Sequence, residues 1–278
     1  IAFIASNETT QLDHEIEFFN GTTGELQAWV EVPALSSSSD TIIYMYYGNT
    51  AASNQENASG VWDSDHKIVH HLQDLTTSTT EDSTSNNNDG TKRVANEPIE
   101  ASGKIDKAQS FDGTNDYVKI TNNFVGTATS LTISSWIKKE SGGHTYECAL
   151  HKGSANTIGS SDYWLGVDIN DNLTATIGAN AGVGWSAGQT AITATYGEWY
   201  HLAAAWDGSI VRVYVNGAYN KQYNLSSYSS LTTPTRFGSS ADGTNYQFKG
   251  GVDEMRISTS ARSASWIKTS YNNQNSPS

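Results

Sequence analysis

The chain has 278 residues and a formal net charge of −13, long enough to bury a full core and to hold one large domain or two unequal ones. Residues 1–66 carry ten Asp or Glu and no Lys or Arg, and without a basic stripe to meet phosphates the chain is not expected to bind nucleic acid. Cys148 is the single cysteine, which excludes an internal disulfide framework, and the apolar runs are too short for membrane insertion.

Charged residues make up 16%, against about a quarter in average soluble domains. Eight Trp and 14 Tyr nevertheless supply the buryable area that a disordered chain lacks. Taken in chain order, alternation with period two predicts strands over 27–32, 41–47, 116–120, 131–137, 163–169, 199–206, 210–215 and 252–257. Asn-Gly at Asn20 and Asn216 and Asp-Gly at Asp89, Asp112, Asp207 and Asp242 punctuate them. Many short strands without alternating helices make the fold all-β, a sandwich or barrel. The polar stretch from Gly48 to Gly60 places a boundary, giving a partial N-terminal β-domain over 1–60 and a larger domain over 61–278. The run from Thr76 to Asn88 is too polar to pack and reads as a loop. One short C-terminal helix is expected, capped by Ser263 and presenting Trp266, Ile267 and Tyr271 at one-turn spacing.

Several segments occur in one order: Asp82-Ser-Thr-Ser-Asn-Asn-Asn-Asp-Gly90, Phe111-Asp-Gly-Thr-Asn-Asp-Tyr-Val118, Leu131-Thr-Ile-Ser-Ser-Trp136, Trp199-Tyr-His-Leu202, Trp206-Asp-Gly208, Val213-Tyr-Val-Asn-Gly217 and Gly251-Val-Asp-Glu-Met-Arg-Ile257. In this order, from about residue 62 to 271, the chain resembles a laminin G-like domain, a concanavalin A-like jelly-roll β-sandwich. The preceding segment, with Ala28-Trp-Val-Glu-Val-Pro33, Thr41-Ile-Ile-Tyr-Met-Tyr-Tyr-Gly-Asn49 and Val61-Trp-Asp63, resembles the C-terminal half of domain-of-unknown-function family 2341. That resemblance implies that the opening strands of the N-terminal domain are missing, so its open edge awaits cover from a larger chain or a neighbouring copy.

Asp253 is the most informative single residue. Strict alternation puts it on one face with Met255 and Ile257, and an inward carboxylate needs hydrogen bonds or a metal. One reading has it accept backbone N–H bonds from a neighbouring loop. The other makes it a Ca²⁺ ligand with Asp82, Asn86, Asn88 and Asp89, whose oxygens crowd one loop. The resemblance implies the second, a structural calcium joining that loop to the strand of Asp253. Asp116 reads as a carboxylate holding an adjacent turn. The seven His offer no shared metal grip, since His70 and His71 fall on opposite strand faces.

No Gly-x-Ser-x-Gly nucleophile elbow is found, since Gly184-Trp-Ser-Ala-Gly188 matches the spacing but follows no predicted strand and opens no predicted helix; His-Glu-x-x-His is absent, as is the paired-carboxylate strand of the β-glucanases that the resemblance implies. No enzymatic activity is therefore expected. Loop aromatics flanked by small polar residues suit a sugar's C–H surfaces and hydroxyls: Tyr146, Trp185 and Tyr246, with Asp242 and Asn245 alongside. The expected function is a non-catalytic adhesion or carbohydrate-binding module with structural Ca²⁺, meeting a glycan or cell-surface polysaccharide in an extracellular, cell-surface or virion-surface setting. The alternatives are a structural subunit of a surface layer or filament, assembling with copies of itself through the N-terminal edge, and third a glycoside hydrolase or lyase.

Overall fold

The computed structural model describes residues 1–36, 38–154, 158–228, 230–240 and 242–276. Two large antiparallel sheets face each other. One runs in the order Ile99–Ser102, Lys107–Asp112, Lys249–Ser258, Leu131–Lys139, Trp199–Trp206, Ile210–Val215 and Ala218–Asn224, with His66–His70 also paired to Lys249–Ser258. The other has nine strands, with Asn172–Ile177, Ser161–Val167, Glu147–Gly153, Thr235–Phe237 and Val118–Ile120 consecutive in its middle. Residues from the facing sides of both sheets, among them Ile133, Ile137, Leu202, Val213, Leu150, Leu165 and Phe237, form one buried cluster. The all-β jelly-roll expectation holds, and the predicted strands lie within a few residues of the observed ones.

The C-terminal helix spans Ala264–Asn275, and the Ser263 hydroxyl accepts the Trp266 N–H at 3.1 Å, an N-cap that stabilises the first turn by about 1 kcal/mol. The helix lies on the outer face of the first sheet. There Ile267 packs with Ala203, Ala205 and Tyr214, Tyr271 stacks on Trp136, and Gln274 accepts the Trp136 indole N–H. Trp136 and Trp206 are buried. Trp199 is only half-buried, with the Lys138 ammonium 5.2 Å from its ring centroid.

The N-terminal segment forms a hairpin, His14–Asn20 with Glu25–Val30, and a three-stranded sheet in which Ala2–Ala5 lies between Gln11–Leu12 and Ile43–Tyr46. The hairpin docks on the sandwich. The Arg256 guanidinium lies over Trp29 and Trp62, 4.3 Å and 4.7 Å from their ring centroids, and the two rings meet each other at 5.6 Å. Desolvated contacts of this kind contribute about 2 kcal/mol.

Alternation fails at Asp253. Val252, Met255 and Ile257 all enter the core, whereas Asp253 stands opposite Trp136 on the outer side. The cause is a β-bulge: Ser134 pairs with Arg256 but Trp136 with Asp253, and Glu254 adopts φ 52°. One edge of Lys249–Ser258 is bonded to Lys107–Asp112 up to Val252 and to His66–His70 from Met255 onward. Asp253 and Glu254 occupy the handover between these two partners.

Candidate functional site

The three loop aromatics come from distant parts of the sequence and meet on the outer side of the nine-stranded sheet. Trp164 and Cys148 form the buried floor, and Tyr146, Trp185 and Tyr246 pack half-buried against it. Trp164 faces away from the core because Tyr163 and Leu165 on either side of it point inward. Tyr146 meets Trp185 edge to face at 5.1 Å and Tyr246 at 6.2 Å, and Trp185 lies 6.0 Å from Trp164.

Local bonds hold each wall. The Cys148 N–H donates to the Tyr246 carbonyl at 2.9 Å, and the Thr176 hydroxyl donates to the Trp185 carbonyl at 2.7 Å. Asp242 organises its own turn, accepting from the Ser240 hydroxyl at 2.5 Å, the Thr244 N–H at 2.9 Å and the Asn245 side-chain amide at 2.8 Å. These donors outweigh partial burial and hold its carboxyl down at about 2. Asp242 thus shapes the loop that presents Tyr246, and Asn245 stands exposed at its tip.

Sequence reasoning missed Arg236. It is nine-tenths buried, its guanidinium stacks 5.0 Å from the Tyr117 ring centroid, and its Nε and Nη1 have no hydrogen-bond partner among the described residues. A Cβ on Gly243 would come within 3.4 Å of Nε, so the loop carrying Tyr246 lies directly against it. Nothing in Pro234-Thr-Arg-Phe237 announces this placement. Arg236 pairs across strands with His151, and His151 with Trp164. The cation and the aromatic floor therefore belong to one row. Chemically the arrangement offers apolar ring surface with the positive charge of a buried guanidinium against the adjoining loop, which suits a neutral or acidic polyol better than a cation.

The expected calcium ligands do not converge. Asp253 Oδ2 accepts the Lys104 and Ile105 N–H groups at 2.7 and 3.0 Å, and Oδ1 accepts the Glu254 N–H at 2.7 Å. The reading in which it accepts backbone bonds from a neighbouring loop is the one realised. Asp82 accepts four bonds: Val69 N–H and Thr84 N–H on Oδ1, Asn88 N–H and the Thr84 hydroxyl on Oδ2. Asp89 Oδ1 accepts the Asp82 N–H at 2.9 Å. Asn86 and Asn88 donate their amides to the His66 and Lys67 carbonyls at 3.0 and 2.9 Å. With both Asp82 oxygens saturated by donors, these residues do not fit a calcium shared with Asp253. Hydrogen bonds tie the loop to strand His66–His70 instead. The same bonds explain why the polar run ending at Asn88 packs after all, with Asp82, Ser83, Thr84 and Asn88 buried. Asp116 holds its turn as expected, accepting the Asp112 N–H at 2.9 Å.

Residues 112–268, more than half of the chain, match the concanavalin A-like lectin/glucanases superfamily, and the chain belongs to it. Residues 1–89 match the domain of unknown function DUF2341. Among solved structures, domain 4 of AbnA, a GH43 extracellular arabinanase from Geobacillus stearothermophilus in complex with arabinotriose, is 24% identical with a TM-score of 0.54, covering 74% of this chain and 98% of that one. The binding domain of Paraclostridial Mosquitocidal Protein 1 is 12% identical with a TM-score of 0.54, covering 75% and 52%. Trypanosoma rangeli sialidase is 15% identical with a TM-score of 0.56; the match covers 78% of this chain and only 34% of the sialidase. These likenesses establish the sandwich fold. No curated protein matches the sequence.

Proposed function

We propose that the chain is a non-catalytic carbohydrate-binding module of an extracellular or surface-displayed protein, with Tyr146, Trp185 and Tyr246 as the walls of its ligand surface. The observation that carries this reading is the convergence of the three loop aromatics over Trp164, beside the buried Arg236, whose Nε and Nη1 have no partner among the described residues. The arabinanase domain of the same fold was solved with arabinotriose, which supports a sugar as the ligand class. The carboxylates on the segments that bear the aromatics support the non-catalytic reading. Glu147 is ion-paired to Lys139 at 3.0 Å and accepts the Lys249 N–H, and Asp242 is spent on its turn. Neither is left to serve as a proton donor or nucleophile across a cleft. Binding to a glycan array, compared between the wild type and Trp185→Ala, tests the proposal: loss of sugar binding in a folded variant supports it, and no binding by the wild type removes it.

A second reading, assembly with copies of itself, is favoured by strand Ile43–Tyr46. Among the described residues it pairs only with Ala2–Ala5, and all four of its residues are exposed, as are Ile42 and Tyr47. An apolar edge strand of this kind is a template for strand addition. The uniformly acidic charge of residues 1–66 opposes self-association at low salt, so sedimentation velocity would show a monomer there and oligomers as salt screens the charge. A monomer at all salt concentrations excludes the reading.

A further inference from the structure

We propose that Glu17, His71 and Glu254 bind one divalent transition-metal ion where the N-terminal hairpin meets the sandwich. Their ligand atoms all lie within 4.8 Å of one another, and all three residues are buried. His71 Nδ1 stands 2.6 Å from Glu254 Oε1 and 3.3 Å from Glu17 Oε2. Its other nitrogen, Nε2, is 3.3 Å from Glu15 Oε2. Nδ1 faces two carboxylates, which against the effect of burial hold the imidazole pKa well above its ordinary value; the three groups thus favour a cation among them, a proton or a metal ion that displaces it. A ligating histidine that gives its second N–H to a carboxylate is the usual outer-sphere arrangement of a metal site.

The surroundings support an ion. Glu17 Oε1 is buried with no hydrogen-bond partner among the described residues, while Oε2 accepts the Trp29 indole N–H at 2.6 Å and is held in place. Glu254 is oriented through its second oxygen by Arg256, and Glu15 by the Ser83 hydroxyl at 2.6 Å and the Trp62 indole at 3.1 Å. A cavity of about 120 Å³ lined by Glu15, Glu17, His71, Gln73, Glu81 and Ser83 adjoins the cluster. It gives an entry route and room for the few waters that would complete the coordination shell. One imidazole with two carboxylates suits Zn²⁺ or another first-row divalent ion. Ca²⁺ demands six to eight oxygens. The bulge explains how Glu254 comes to face the hairpin: it falls in the gap between the two edge partners of its strand, where no ladder constrains it.

The test is a titration of EDTA-dialysed protein with ZnCl₂, read by calorimetry and by thermal melting. One equivalent per chain with a raised midpoint is expected, and CaCl₂ should not reproduce it. Glu17→Gln keeps an acceptor for Trp29 but removes a charged ligand, and should weaken Zn²⁺ binding at least tenfold. His144→Asn, a change at an exposed histidine, should leave binding intact. No zinc binding, or equal binding by Glu17→Gln, overturns the assignment and leaves a proton as the shared cation. If Glu17→Gln does not fold, zinc-edge diffraction from wild-type crystals decides: an anomalous peak between Glu17 and His71 supports the site, and a peak elsewhere or none overturns it.

Discussion

Asp253 and Lys104, 149 residues apart, are joined by a carboxylate-to-backbone bond of 2.7 Å that closes the Gly103–Ile105 turn against the bulged strand. Ile105 donates to the same oxygen, and a Cβ on Gly103 would come within 2.6 Å of it, so the turn has grown around this carboxylate. Asp253→Ala would leave the Lys104, Ile105 and Glu254 N–H groups without an acceptor, at a cost of about 2–4 kcal/mol. Asp253→Asn, which keeps one carbonyl oxygen, should lose less than half of that. Urea denaturation of the two variants measures the difference.

Asp82 does for its loop what a calcium ion was expected to do. Four donors saturate its oxygens. Adding CaCl₂ to metal-free protein should therefore leave the melting midpoint unchanged, whereas Asp82→Ala should destabilise by about 3 kcal/mol. A midpoint that rises with Ca²⁺ would show that the loop rearranges around an ion.

Burial, reinforced by the nearby Arg256 charge, lowers His201 to about 3. The folded protein then binds fewer protons at this ring than the unfolded chain does between about pH 6.5 and 3. The stability gained by keeping the ring neutral is present above pH 6.5 and is lost as pH falls, by about 1.4 kcal/mol per unit. Asp116 and Asp162, raised to about 6 chiefly by burial, act in the opposite sense, their contribution growing as pH falls from about 6 to 4. Comparison with His201→Gln isolates the histidine: relative to the wild type, the variant should gain stability steadily from pH 6.5 to 4. A difference independent of pH would mean the ring titrates normally.

The hairpin His14–Asn20 and Glu25–Val30 meets the sandwich through the cluster of Trp29, Arg256 and Trp62. The N-terminal segment and jelly roll should accordingly unfold in one cooperative transition, and Trp29→Ala should cost about 2–3 kcal/mol. Two separate transitions followed by tryptophan fluorescence and by circular dichroism would show independent folding.

The sheets and the C-terminal helix were legible because burial on one face enforces period two, and a capping serine with one-turn apolar spacing enforces a helix. That Tyr146, Trp185 and Tyr246 lie on loops was legible from the Gly, Asn and Asp that flank them; that all three pack together over Trp164 was not. The face of Asp253 was not, since alternation assumes an unbroken ladder, and a non-glycine residue such as Glu254 at positive φ gives no sign of the bulge in advance. Arg236 and the His71 cluster were hidden for another reason. Their environment is made by partners far away in sequence, 183 residues in the case of His71 and Glu254, and no local spacing encodes such a meeting.

The central claim is that the aromatic cluster over Trp164 binds sugar. Calorimetric titration of the strongest glycan-array hit against the wild type, Tyr146→Ala and Trp185→Ala tests it most directly. The account predicts saturable binding by the wild type and at least tenfold weakening in each variant, with circular dichroism unchanged. Undiminished binding by both folded variants would contradict it.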